Sequence, residues 1–191
     1  MAVDIQKIVS GDQKAFKSLY DQYHIAMYNV CFRMLKQQDE AVDALQETCV
    51  NVFQNIHKLE NHALLPAWIK KVCVNTCLQL LDKKKKIRWE ELDQQTVLLN
   101  SRDEEDLIDE VEYEQNMKRI QEGIMVLPEK YRIVFNLYAV EDYSHEEIGQ
   151  MLGIPNATCR SQYMRAKQKL IEILKKEETH VGSIKKLYSK A

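Results

Sequence analysis

A chain of 191 residues that is 45% hydrophobic can bury a real core, yet five Gly and three Pro are too few for an all-β fold, which needs a turn every ~8–12 residues. The formal charge of −2 excludes a uniformly basic protein, and no stretch approaches the roughly 18 apolar residues that cross a bilayer. No apolar run follows a basic start as in a secretory signal, so a cytoplasmic protein is expected.

The apolar residues recur at three- and four-residue steps, which predicts an all-α protein. Charge is segregated. Lys58 to Arg88 holds eight Lys/Arg against two acids, Asp103 to Glu114 holds eight acids and no Lys or Arg, and Asn156 to Lys176 holds six Lys/Arg against one acid. Two basic zones are therefore separated by an acidic one, which predicts two small helical domains joined by a flexible linker. The expected boundaries are 1–86, a linker over 87–111, 112–178, and a weakly periodic tail over 179–191.

The first helix is expected from about Asp12 into Lys36, with Phe16, Leu19, Tyr20, Tyr23, Met27, Val30, Cys31 and Met34 on one face. Asp39 is the expected N-cap of a second helix whose stripe is Val42, Leu45, Cys49, Val52, Phe53 and Ile56. A third begins near Leu64, tolerates Pro66 in its first turn and buries Trp68, Ile69, Val72, Cys73, Thr76, Leu80 and Leu81. Lys83 to Lys86 closes that unit. Between Ile87 and Asp109 periodicity fades, although Trp89, Leu92, Val97, Leu98 and Leu99 are too apolar for a purely solvated tether.

The second unit is expected from Glu112, with Met117, Ile120, Ile124 and Leu127 on a stripe that stops at Pro128. A helix over Glu129–Val140 turns Tyr131, Val134, Phe135 and Tyr138 inward. Ser144 and Glu147 form a capping box, Ile148, Met151 and Leu152 mark a short buried face, and Gly153 supplies a left-handed stop. Pro155-Asn156 opens a longer basic helix that buries Cys159, Tyr163, Ala166, Leu170 and Leu174. A short capped helix, a Gly turn and a basic helix are the helix-turn-helix pattern.

That second helix places Thr158, Arg160, Ser161, Gln162, Arg165 and Lys169 on its expected outer side, where N-terminal side chains reach base edges and later ones meet phosphates. In the first unit, Lys71, Asn75 and Gln79 share a helical face, and His57, Lys58, Asn61 and His62 precede it in a loop. A positive groove with polar pockets suits a single strand, although a solvated basic helix explains the same residues. Asp39, Glu40, Asp43, Gln46 and Glu47 line the polar face of the second helix, which is either solvated or a docking face.

Five cysteines (Cys31, Cys49, Cys73, Cys77, Cys159) on apolar stripes read as reduced core thiols. A metal held by Cys73 and Cys77 with His57 or His62 is the weaker reading, since there is no CxxC and no HxxxH. No phosphate-cradling Gly loop, HExxH or GxSxG is present, so an enzyme is not expected, nor is a cofactor.

Gly11 to Phe16 with Leu19-Tyr20 and Tyr23, Asp43 to Glu47 with Val52-Phe53, Ala67-Trp68-Ile69 and Val72 to Asn75 resemble domain two of the extracytoplasmic-function sigma factors of the sigma-70 family. Leu127 to Arg132 with Val134-Phe135, Tyr143 to Gly149, Leu152-Gly153-Ile154 and Thr158 resemble domain four of the same proteins. The matches are collinear over nearly the whole chain. The resemblance implies a subunit that docks on core RNA polymerase, with Asp43, Gln46 and Glu47 on the β′ clamp and domain four on the β flap. It implies that Asn75 and the loop His57–Leu64 capture a flipped base of the minus-ten element, and that Thr158, Arg160, Ser161, Gln162 and Arg165 read the minus-thirty-five duplex. It also implies control by an anti-sigma factor. His62 to Pro66, Pro155-Asn156 and Gln162 depart from the family pattern, so promoter sequence does not carry over. A dimeric helix-turn-helix regulator, or an adaptor that does not touch DNA, are the other readings.

Overall fold

The computed structural model describes the backbone of residues 3–84 and 110–188, and the side chains of residues 3–84 and 116–176. The chain divides into two compact units, Met1–Ile87 and Arg88–Ala191. The described residues are helical with no strand. The linker expected over 87–111 lies almost wholly outside them, as do Trp89 and the other apolar residues placed there.

The first unit is built from α1 (Ile5–Val9), α2 (Gln13–Leu35), α3 (Gln38–Asn55), two 3-10 turns (Ile56–Lys58 and His62–Leu64) and α4 (Leu65–Lys83). Asp12 caps α2, its carboxylate accepting from the N–H groups of Lys14 and Ala15 at 2.8 and 3.2 Å. Lys36 ends α2 in the left-handed region. Helices α2, α3 and α4 pack pairwise around Leu19, Met27, Cys31, Met34, Val52, Ile69, Cys73 and Cys77. The short α1 was not expected. Five residues are below the length at which a helical period can be read, but Ile5 and Ile8 are buried and pack α1 on α2 and on the turn Ile56–Lys58.

Helix α3 departs from expectation in two ways. It begins at Gln38 after an N-cap Gln37 that makes no side-chain bond, so Asp39 is not the cap. Asp39 sits with Glu40 in the first turn, where a carboxylate complements the helix dipole. The buried face is Ala41, Ala44, Thr48 and Val52, while Val42 and Phe53 are exposed and Leu45 and Cys49 half-buried. Small residues let the helices approach closely, and of the expected stripe Val42 and Phe53 are rotated outward while Val52 and Ile56 stay buried. Tyr20 in α2 is also exposed, and Trp68, Val72 and Leu80 in α4 are half-buried.

The second unit comprises α5 (Glu110–Val126), α6 (Glu129–Phe135), a π turn (Asn136–Val140), α7 (His145–Leu152) and α8 (Asn156–Tyr188). Ile124, Leu127, Tyr131, Phe135, Ala166 and Leu170 form its core. Gly123 makes room for α8: a Cβ there would stand 2.7 Å from Leu170 Cδ1. The helix expected over Glu129–Val140 changes to π geometry at Asn136, leaving Tyr138 exposed. Met117 is exposed as well. The backbone of α8 stays helical to Tyr188, past Thr179, where a weakly periodic tail was expected to begin.

Candidate nucleic-acid interface

The capping box at the head of α7 is complete. The Ser144 N–H donates to Glu147 Oε2 at 2.8 Å, and the Glu147 N–H donates to Ser144 Oγ at 3.2 Å. Gly153 ends α7 at φ 66°, and the Ile154 N–H then donates to the Gly149 carbonyl at 3.0 Å. This closes the turn over Gly149, where a Cβ would lie only 2.8 Å from the Ile154 carbonyl oxygen. Aromatic contacts fix the angle between the helices. His145 stacks on Tyr138 at 4.1 Å, Tyr163 of α8 tilts against both rings, and His145 Nδ1 lies 3.4 Å from Cys159 Sγ.

Of the six residues expected on the outer side of α8, Arg160, Ser161 and Lys169 are exposed and Thr158 and Arg165 are half-buried. The Ser161 hydroxyl donates back to the Thr158 carbonyl at 2.9 Å. The Lys169 ammonium lies 6.0 Å from the Tyr131 ring centroid, a cation–π distance. Gln162 corrects the expectation. It is 1% exposed, on the buried stripe with Cys159, Ala166 and Leu170, and cannot reach a base edge from there. Met164, one turn beyond Arg160, is exposed on the outer side instead, and only a helical wheel centred on Ala166 would have found it. Beside Arg160 and Asn156 a cleft of about 580 Å³ is bordered by Asp142, Glu146 and Glu147. Those carboxylates repel phosphate, so the cationic face of α8 is bounded on that side.

In the first unit, Lys71, Asn75 and Gln79 are exposed together on α4, and His57, Lys58, Asn61 and His62 are exposed in the two 3-10 turns that precede it. Asn61 caps the second turn, its side chain accepting from the Ala63 N–H at 3.1 Å. Asn51 of α3 donates to Thr76 Oγ1 at 3.3 Å, next to Asn75. Asp43 and Gln46 are exposed and Glu47 is half-buried on α3; Glu40 pairs with Lys84. Exposed Val50 and Phe53, with Phe16, line an apolar groove of about 400 Å³. The pattern missed it because it assigned Phe53 to the core.

Cys73 and Cys77 are buried with Cys31, whereas His57 and His62 are exposed, so the weaker metal reading brings no ligand set together. Among the described residues no group of three or more His, Cys, Asp or Glu is placed to hold a metal, and no helix is long and apolar enough to cross a membrane.

The family models Sigma-70 region 2 and Sigma-70, region 4 match residues 19–87 and 117–170, the two units in order. Among similar proteins, the ECF RNA polymerase sigma factor SigW of Bacillus subtilis is 28% identical over 177 residues, covering 87% of this chain and 92% of that one. The RNA polymerase sigma factor SigV of the same organism is 28% identical over 151 residues, covering 79% and 86%. The chain belongs to the extracytoplasmic-function sigma factors of the sigma-70 family. The sigma factor RpoE of Bartonella quintana, solved in complex with the anti-sigma factor NepR, superposes on this sigma factor with a TM-score of 0.52 at 18% identity, covering 85% of this chain and 98% of that one. CnrH, solved with the cytosolic domain of CnrY, gives a TM-score of 0.50 at 18% identity, covering 90% and 94%. At such identities the solved structures speak for the two-domain helical fold alone.

Proposed function

We propose that this sigma factor binds core RNA polymerase in the cytoplasm, recognises minus-thirty-five and minus-ten elements, and initiates transcription without itself catalysing a reaction. The observation that carries the reading is that the unit matching region 2 and the unit matching region 4 each expose a cationic, polar helical face, on α4 and α8 respectively. Residues 1–86 act as the docking and melting domain. Asp43, Gln46 and Glu47 meet the β′ clamp, and His57, Lys58, Asn61, His62, Lys71, Asn75 and Gln79 take the minus-ten strand. Residues 112–178 act as the duplex-reading domain on the β flap, through Thr158, Arg160, Ser161, Arg165 and Lys169. The acidic stretch over 87–111 serves as the tether. An anti-sigma factor is the expected regulator, by analogy with RpoE, which was captured with NepR.

Run-off transcription with core polymerase and a promoter library tests this. Added protein is expected to direct initiation at templates carrying two elements, with no start from core alone. Initiation unchanged on addition, or a polymerase-independent footprint over two symmetric half-sites, overturns it.

A further inference from the structure

A series of hydrogen bonds, passing through the backbone of α3 at Asn51, runs from the loop before α4 into the unit. The Lys58 ammonium donates to Asn55 Oδ1 at 2.7 Å. Asn55 Nδ2 donates to the Asn51 carbonyl at 2.9 Å, and Asn51 Nδ2 donates to Thr76 Oγ1 at 3.3 Å. The amide of Asn55 has one workable orientation, because the backbone carbonyl of Asn51 faces one end of it and the ammonium the other; a flipped amide would set N–H against N–H and oxygen against oxygen. Asn51 and Asn55 are one turn apart near the end of α3, and Thr76 follows Asn75 in α4.

We propose that Asn55 is a positioning residue that holds the Lys58 ammonium ready for a backbone phosphate of the melted strand. This rests on the promoter-melting reading above. An ammonium has three N–H donors, and the bond to Asn55 uses one, leaving two for phosphate oxygens. A lysine stem is otherwise among the most freely rotating side chains, so a charge fixed before the strand arrives loses less freedom on capture. Through the Asn51 backbone, whose own side chain bonds Thr76, the charge is tied to the helix that carries Asn75, so phosphate and base contacts share one frame. A merely structural role is the competitor, since Lys58 follows the C-terminus of α3 and a cation there complements its dipole.

The experiment measures the lifetime of heparin-challenged promoter complexes formed by the full-length protein with core polymerase, across a salt series, alongside its melting temperature. Asn55→Ala is expected to shorten the lifetime about three- to tenfold, the range that one net hydrogen bond supplies. Lys58→Ala should shorten it at least as much and flatten the log–log salt slope by about 0.7, the single-strand value for one phosphate. The double variant should be no worse than Lys58→Ala, and Lys58→Arg should retain most of the lifetime. Wild-type lifetime in Asn55→Ala overturns the proposal. So do effects that multiply in the double variant, or a lowered melting temperature with an unchanged salt slope in Lys58→Ala. If the wild-type protein forms no heparin-resistant complex, the promoter-melting reading itself fails.

Discussion

His145 Nδ1 lies 3.4 Å from Cys159 Sγ, so the two helices of the helix-turn-helix meet at an imidazole–thiol contact. The imidazole is flanked by Tyr138 and Tyr163, with Arg160 nearby. Burial, and then the Arg160 charge, push the His145 pKa below its ordinary 6.5. The imidazole also begins α7, where the helix dipole disfavours a cation. A base whose folded pKa is depressed adds no penalty above its unfolded value; the penalty grows as pH falls from there towards the lowered folded pKa, where only the unfolded state gains the proton, and levels off below it. The unfolding midpoint of the second unit is therefore expected to fall between pH 7 and pH 5. His145→Phe, which keeps a ring against Tyr138 but cannot titrate, should flatten that fall. Equal pH profiles for the two proteins would remove His145 as the cause.

Gly149 and Gly153 carry different constraints, and alanine at each should separate them. At Gly153 a Cβ meets nothing within 4 Å, so Gly153→Ala costs only the left-handed backbone, about 1–2 kcal/mol. At Gly149 the Cβ would stand 2.8 Å from the Ile154 carbonyl, which is backbone and cannot swing aside. Gly149→Ala is expected to cost about 1–3 kcal/mol, as overpacking does, and to shift α8 relative to α7. Denaturant midpoints should fall in both variants. Affinity of the polymerase complex for the minus-thirty-five element should fall much further in Gly149→Ala, and equal loss would contradict this account of the turn.

Arg160 and Gln162 lie two residues apart in α8 and should behave oppositely. Arg160 is exposed, so Arg160→Ala should weaken minus-thirty-five binding and leave stability within about 0.5 kcal/mol of wild type. The Oε1 of Gln162 is buried without a hydrogen-bond partner. Replacing an unpartnered buried oxygen with an apolar group of similar shape is neutral or stabilising, so Gln162→Met should keep promoter preference and equal or exceed wild-type stability. Relaxed preference at a single base pair in Gln162→Met would mean that its side chain turns out to the groove.

These residues also indicate what the sequence could reveal. The long stripe of α2 and the cap, Gly stop and basic helix around Ser144 and Gly153 were readable because each depends on local chemistry. Gln162 was misplaced because its polarity outweighed its spacing, although it lies three residues after Cys159 and four before Ala166, both buried. In α3 the same error ran the other way: Ala41, Ala44 and Thr48 face the core because they are small, and Val42 and Phe53 drew the stripe outward because they are large. The π turn at Asn136 and the relay from Lys58 to Thr76 leave no periodic trace. Both arise from tertiary geometry that a one-dimensional pattern does not encode.

Thiol reactivity tests the core of the first unit. Cys31, Cys73, Cys77 and Cys159 are buried and Cys49 is half-buried, all as free thiols. A maleimide added to the native protein should therefore label Cys49 first and leave the other four until denaturant is added. Burial raises the Cys49 pKa, so its rate should start below that of a free thiol and climb as pH rises. The contact with Cys31, and then burial, push the Cys73 thiol up and away from thiolate. Cys31 is fully buried against it, and no reagent reaches it while α2, α3 and α4 stay packed. Labelling at Cys31 is thus a readout of opening of the unit, and a native rate there matching Cys49 would mean that the three-helix core is not closed in solution.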